Sequence, residues 1–202
     1  MIERFGRDSI SGGFLGRVHG GAHDAVIGAW IHWWIRNVPE SLVLNPGAAA
    51  VYRKERRYTD ILFAERGKLI GAAEIENSEK HARLLSKVRS LRKYEKVKKF
   101  SRDLRFLLLC AFIFTDEKGE PEKNLRTTNV EATIGHVREA SAKSNILWVA
   151  YVLKWVKQNH EDFVTLSKRA QGYRYLCQAA DWHVFKNGCK LSKGNWSKST
   201  LN

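Results

Sequence analysis

The spacing of hydrophobic residues predicts a helix near the start of the chain and a β-hairpin after it. Over residues 23–37, apolar side chains recur every three or four positions, which is the period of a helix with one buried face. The turn signal Asn45-Pro46-Gly47 closes that segment. Two runs rich in β-forming residues, 51–64 and 68–77, flank a short loop containing Gly67, and this arrangement is typical of a hairpin.

The hydrophobic pattern continues through the second half of the chain and fades towards its end. It predicts a helix over 78–99, whose buried stripe is Leu84, Leu85, Val88 and Leu91. The nearly continuous apolar run 104–114 predicts a strand buried on both faces, and a helix over 129–142 and a strand over 146–153 follow. This order of elements predicts the α/β class, with a central mixed β-sheet flanked by helices.

Length and composition favour one folded domain with less regular ends. A chain of 202 residues that is 44% hydrophobic can bury a substantial core. We expect residues 23–155 to form that core. Residues 1–22 are rich in glycine and are predicted to be an irregular arm. Residues 156–202 are predicted to be a basic C-terminal extension, of which 186–202 form a partly ordered tail.

The charge of the chain changes this picture, because it points to a partner. Lysine and arginine number 35 against 21 aspartates and glutamates, which gives a formal net charge of +14. Such an excess favours a polyanionic partner, with nucleic acid as the first expectation and an anionic membrane surface as the second.

Cysteine usage and hydropathy indicate where such a protein works. The three cysteines are odd in number and include no Cys-x-x-Cys pair, so we do not expect a disulfide scaffold. We expect the protein to reside in a reducing compartment. No apolar run has the length of a membrane-spanning helix, and the N-terminus has no signal-like core. We therefore expect a soluble cytoplasmic protein.

Three carboxylates lie on the predicted hairpin of this very basic chain. Glu74 and Glu76 point to the same face of their strand, because side chains alternate. If the loop has three residues centred on Gly67, Asp60 lies directly opposite Glu74. Like charges so placed repel each other, and a shared divalent cation removes the penalty. Mg²⁺ prefers one or two carboxylates with waters and phosphate oxygens. The alternative is a hairpin whose polar face is simply solvated.

Asp60, then Glu74-x-Glu76 on the next strand, then a basic helix and an apolar strand together resemble the PD-(D/E)XK nuclease superfamily over residues 23–153. The resemblance implies a restriction-endonuclease-like core and a nuclease in which Asp60 and Glu74 bind Mg²⁺ or Mn²⁺. The residue before the aspartate is commonly proline in that superfamily, and here it is Thr59.

The superfamily's usual lysine position is occupied here by Glu76, which some restriction enzymes of the superfamily share. Glu76 is then expected to complete a second metal position or to act as general base. In some variant members the lysine looks to have moved onto the following helix. Lys87 fits that role, because it lies about one turn from Leu84 and from Leu91, at the edge of the buried stripe. The alternative for Lys87 is a side chain that only covers apolar surface.

The first helix offers weaker candidates. Superfamily members often draw a further acid for the site from that helix, and Asp24 and Glu40 are available here. Separately, His19 and His23 lie four residues apart and are followed by Asp24, so they are candidates for helix-borne metal ligands; the alternative is a capping or core role in that helix.

Two groups of basic residues surround the acids in the sequence and are predicted to hold a nucleic-acid backbone. Binding of this kind is salt-dependent and independent of base sequence. The alternative is a solvated helix face. The first group precedes Asp60 and the second lies on the helix that follows Glu76: Arg53, Lys54, Arg56 and Arg57, then Lys80, Arg83, Arg89, Arg92, Lys93 and Lys96.

The sequence therefore predicts a metal-dependent nuclease that hydrolyses phosphodiester bonds, with DNA as the expected substrate. If the protein cuts both strands of duplex DNA, a symmetric homodimer is expected. One alternative is a non-catalytic nucleic-acid-binding protein with a degenerate nuclease-like fold. A third hypothesis is a basic adaptor that binds protein or membrane through the tryptophans of the first helix.

Overall fold

Eight β-strands and three helices are formed by the residues that the computed structural model describes, which are 14–17, 21–38, 41–44, 59–77, 81–96, 102–115, 128–159 and 172–197. The strands are β1 Phe14–Arg17, β2 Ser41–Leu44, β3 Ile61–Glu65, β4 Lys68–Asn77, β5 Phe106–Thr115, β6 Leu147–Asn159, β7 Gly172–Lys186 and β8 Cys189–Ser197. The helices are α1 Gly21–Asn37, α2 His81–Glu95 and α3 Thr128–Ser141.

All eight strands belong to one mixed sheet, as the α/β prediction required. The strand order is β1-β7-β6-β5-β4-β3-β2, and β8 also pairs with β7. The central strands β4, β5 and β6 are parallel, and every other pairing in the described sheet is antiparallel. Parallel neighbours need a crossover, and α2 and α3 supply the two that this centre requires.

Helix α1 covers one face of the sheet with its tryptophans. Trp34 packs on the ring of Phe63 with a centroid distance of 4.5 Å, and Trp30 packs edge-on against Tyr151 at 5.4 Å. Trp33 is also buried. These indoles are core residues, so they do not provide the exposed surface that the adaptor hypothesis needed.

Helices α2 and α3 cover the opposite face. The buried stripe of α2 consists of Leu84, Val88, Leu91 and Tyr94, whereas Leu85, which was expected in the stripe, is only half-buried. Strand β5 lies between the two layers. Its residues from 106 to 113 are all buried, which confirms the strand predicted to be enclosed on both faces.

The β3–β4 hairpin has the expected register for a reason the sequence prediction missed. Its loop has two residues rather than three, and both have positive φ, 51° at Arg66 and 75° at Gly67, as a type I′ turn requires. A β-bulge then shifts the pairing between Phe63 and Ala64, and this restores the pairing of Ile61 with Ala73. The short turn and the bulge compensate each other, so position 60 lies opposite position 74 as predicted.

The ends of the chain are more regular than the sequence analysis predicted. Within the predicted arm 1–22, β1 pairs antiparallel with β7. The predicted extension 156–202 instead carries the end of β6 and the β7–β8 hairpin, and it contributes Phe185 to the core. Asn187-Gly188, with φ of 52° and 74°, closes that hairpin, and Asn-Gly is a strong hairpin signal that the prediction overlooked.

Strand β2 was also not predicted. It has only four residues and extends the sheet by pairing with β3. Among the helices that the structure describes, none has the length and apolar character needed to cross a membrane.

Candidate functional site

Asp60 lies at the point where β3 begins and is held by three different elements. Its Oδ2 atom accepts a hydrogen bond of 2.7 Å from the backbone N–H of Ile75 and one of 2.9 Å from Nζ of Lys87. Its Oδ1 atom lies 3.5 Å from Nε2 of His23 on α1. The aspartate is therefore fixed by β4, α2 and α1 together.

Glu74 is a carboxylate in the middle of a central strand. Its side chain points to the face that α2 covers, and the residue is 1% exposed. Its Oε2 atom accepts a hydrogen bond of 2.6 Å from Nζ of Lys87. A buried carboxylate needs such a partner, because removing an unpaired charge from water costs several kcal/mol.

Lys87 joins the two acids. One ammonium group donates to both Asp60 and Glu74, and the lysine side chain is 25% exposed. The periodicity of α2 placed Lys87 at the edge of the buried stripe, and the structure brings it from there to the acids. The ammonium is directed at two carboxylates rather than only at solvent, so Lys87 does more than cover apolar surface.

The charges at this site are not balanced. Burial by itself raises the pKa of Asp60, but the contacts from His23, the Ile75 N–H and Lys87 outweigh burial and hold that pKa well below its usual range. Burial raises the pKa of Glu74 to about 7; Lys87 opposes this increase and Asp60 adds to it. Burial alone would lower the pKa of Lys87, yet Glu74 and Asp60 raise it above its ordinary value. One ammonium thus serves two acids, and the pKa of the second acid, Glu74, lies close to neutral pH.

Glu76 follows Glu74 on the same face of β4, about 7 Å further along the strand, and is half-buried. In the described part of the chain, no three His, Cys, Asp or Glu side chains are grouped closely enough to hold a metal ion. The three predicted carboxylates are therefore not gathered into one cluster. Asp60 and Glu74 are brought together by Lys87, and Glu76 lies beside them.

The donor set of Asp60 and Glu74 fits a magnesium-like cation. Mg²⁺ binds proteins through one or two carboxylates and completes its octahedron with waters and substrate phosphate oxygens, so two acids are sufficient. Burial is the largest cause of the raised pKa of Glu74, and the charge of Asp60 adds to it, so a further positive charge beside Glu74 would favour its ionised form. A divalent cation would supply that charge.

His23 is the site residue that the sequence analysis did not place beside Asp60. It precedes Ile27 by four residues and Trp30 by seven, so it lies on the face of α1 that packs on the sheet. That spacing was the available signal. The other first-helix candidates, His19, Glu40 and the side chain of Asp24, lie outside the described residues.

The basic residues of α2 that are predicted to hold a nucleic-acid backbone do not all face the acids. Arg89, Lys93 and Lys96 are exposed, but they follow Lys87 by two, six and nine residues, which separates them from it by about 120–180° around the helix. They point away from the acids. Arg83, one turn before Lys87, is the exposed cation on the acid side of the described helix, and Arg92 is half-buried. The remaining predicted contacts lie outside the described residues: Arg53, Lys54, Arg56, Arg57 and Lys80.

Comparison with known proteins found no family model, no curated protein and no solved structure that matches this chain. The resemblance to PD-(D/E)XK nucleases therefore depends on the residues and their geometry alone.

Replacing Lys87 with methionine is expected to destabilise the protein by an amount that grows with pH. The folded-state pKa of Glu74, about 7, lies above its ordinary value of 4.5, so its stabilising contribution is complete below about pH 4.5 and is lost as pH rises through 7. Lys87 limits that loss. We expect the Lys87→Met deficit in unfolding free energy to be about 3 kcal/mol at pH 8 and at least about 1 kcal/mol smaller at pH 5.5.

Urea unfolding at the two pH values measures this difference. Arg89→Met is the matched control, because Arg89 is exposed on the opposite side of the same helix. Its effect should stay within about 0.5 kcal/mol at both pH values. A Lys87→Met deficit that is the same at pH 5.5 and pH 8 would contradict the assignment of Glu74 as the titrating group.

Proposed function

We propose that this protein is a metal-dependent nuclease that hydrolyses phosphodiester bonds in DNA. The observation that carries the proposal is the convergence of Asp60 and Glu74, from adjacent strands, on the ammonium of Lys87. The chain as a whole has a formal net charge of +14, which favours binding to a phosphate polymer. A purely structural ion pair would need one acid for one lysine, and here a second, buried acid is present.

The order of the elements supports a restriction-endonuclease-like core. Asp60 precedes β3, Glu74 lies on β4, the basic helix α2 follows, and the apolar strand β5 pairs parallel with β4. This is the sequence of features on which the resemblance to PD-(D/E)XK nucleases was based. Lys87, on helix α2, donates hydrogen bonds to both acids, so it could take the place of the lysine that the usual motif carries on the strand.

Asp60 and Glu74 are the residues that would hold Mg²⁺ or Mn²⁺. When bound, such an ion polarises a phosphate oxygen and lowers the pKa of a water molecule. Asp60 is suited to this task because the Ile75 N–H fixes its carboxylate before any ligand arrives. Glu74, in its ionised form, would supply the second oxygen ligand.

Lys87 and Glu76 would act on the substrate side of this pair. The side chain of Lys87 is partly exposed, so its ammonium could turn towards a phosphate oxygen, where it would offset the negative charge that develops during hydrolysis. Glu76 lies further along the same face of β4 and is the nearest further carboxylate on that strand for accepting a proton from the attacking water.

A second candidate function is non-catalytic binding of nucleic acid. It is favoured by one observation: Lys87 already donates to both acids, so the trio is a complete hydrogen-bonded set without any further ligand. In that case the exposed cations of α2 would bind the backbone, and the acids would only anchor the helix to β4.

Cleavage assays distinguish the two candidates. Plasmid and single-stranded DNA are incubated with Mg²⁺ or Mn²⁺ and wild-type protein, Asp60→Ala or Glu74→Gln. We expect metal-dependent cleavage by the wild type and a loss of at least about 100-fold in each variant. Glu131→Gln, which changes an exposed acid of α3, is the control and should cleave normally. If the wild type does not cleave DNA, or if Asp60→Ala cleaves it equally well, the nuclease proposal fails and non-catalytic binding of nucleic acid is the candidate that remains.

The role of Lys87 is expected to separate metal binding from cleavage. Its ammonium repels a second cation, so Lys87→Met should bind Mn²⁺ about tenfold more tightly than the wild type in calorimetric titrations. The same variant should cleave DNA more slowly, because the phosphate loses a positive neighbour. Weaker Mn²⁺ binding in Lys87→Met would show that the lysine and the metal do not compete for these carboxylates.

A further inference from the structure

The β3–β4 ladder ends in an unusual way beside the candidate site. Backbone pairing stops at Ile61 and Ala73, although β4 continues to Asn77. Beyond that point, side chains of the residues preceding β3 bond the backbone of β4. Thr59 Oγ1 donates a hydrogen bond of 2.7 Å to the carbonyl oxygen of Ala73, and Asp60 Oδ2 accepts one of 2.7 Å from the N–H of Ile75.

We propose that Thr59 is a positioning residue for Asp60. The threonine is 5% exposed, so the carbonyl of Ala73 has no route to bulk water if the hydroxyl is removed. The hydroxyl ties the chain one residue before Asp60 to the strand that carries Glu74. This bond sets how far the Asp60 backbone lies from β4, and hence whether its carboxylate reaches Ile75.

The two bonds act as a pair. Asp60 receives hydrogen bonds from two further elements, through Lys87 on α2 and Ile75 on β4, and it also lies beside His23 on α1. All of these contacts require that the backbone of Asp60 stays at a fixed distance from β4. Thr59 supplies the anchor on the chain itself, because it is the adjacent residue and its bond is buried.

This inference rests on the proposed function where it treats Asp60 as a metal ligand, but the position of Asp60 can be tested in the metal-free protein. The variants are Thr59→Val, which removes the hydroxyl and keeps the β-branched shape, and Thr59→Ser, which keeps the hydroxyl. Amide hydrogen exchange reports directly on the bond from Ile75 to Asp60. The amide of Leu109, in the central strand β5, reports on the stability of the sheet as a whole.

In Thr59→Val we expect the Ile75 amide to exchange at least about tenfold faster relative to Leu109 than in the wild type. Thr59→Ser should restore the wild-type ratio. Loss of a group that orients a metal ligand commonly weakens metal binding by tenfold or more, so Mn²⁺ affinity should fall about tenfold in Thr59→Val and stay near wild type in Thr59→Ser.

A role that is merely structural gives a different result. If Thr59→Val lowers overall stability but leaves both the Ile75-to-Leu109 exchange ratio and the Mn²⁺ affinity unchanged, the positioning role is overturned. If the wild type binds no Mn²⁺, the proposed function fails, and the exchange ratio alone then decides the role of Thr59. Thr59→Ala, which also lacks the hydroxyl, replaces the valine variant if the latter does not fold.

Discussion

The candidate site depends on one interaction, the contact of a single ammonium group with two carboxylates. Lys87 lies 2.9 Å from Asp60 and 2.6 Å from Glu74, and these three residues belong to three different parts of the fold. Glu74 has almost no access to water, so its charge is tolerable only with a cation beside it. When both acids are ionised, they carry more negative charge than one lysine neutralises, and a divalent cation is a natural ligand for that ionised pair.

The architecture of the sheet produces this arrangement from short-range rules. The crossover between the parallel strands β4 and β5 places α2 over the face to which Glu74 points. The two-residue turn and the bulge in the β3–β4 hairpin together bring Asp60 opposite Glu74. Thr59 and Asp60 then replace strand pairing with side-chain hydrogen bonds, so the aspartate lies where the ladder ends and where a ligand could approach.

Much of this site could be predicted from the sequence, because it depends on local periodicity. Alternation on β4 fixed the face of Glu74, and the spacing on α2 placed Lys87 at the edge of the buried stripe. The register of Asp60 was right although the assumed loop was wrong, since a missing turn residue and an extra bulge residue cancel. The spacing of His23 from Ile27 and Trp30 indicates that it faces the sheet, but its contact with Asp60 depends on where α1 packs on the sheet, which no local pattern specifies. Arg89, Lys93 and Lys96 are close to the acids in sequence, but the helical period places them on a different side of α2, and this could have been worked out from the sequence. The strands at the ends of the chain depend on long-range pairing with β7 and β3, and local signals there are weak apart from Asn187-Gly188.

The most direct test of the central claim is to locate Mn²⁺ in crystals of the protein soaked with that ion, using its anomalous scattering. A site that joins Asp60 and Glu74 predicts an anomalous peak within coordination distance of both carboxylates, and no such peak in crystals of Glu74→Gln. Wild-type crystals with no peak between these residues, or with a peak only elsewhere, would contradict the account and leave the trio as an ion pair that fixes α2 to the sheet.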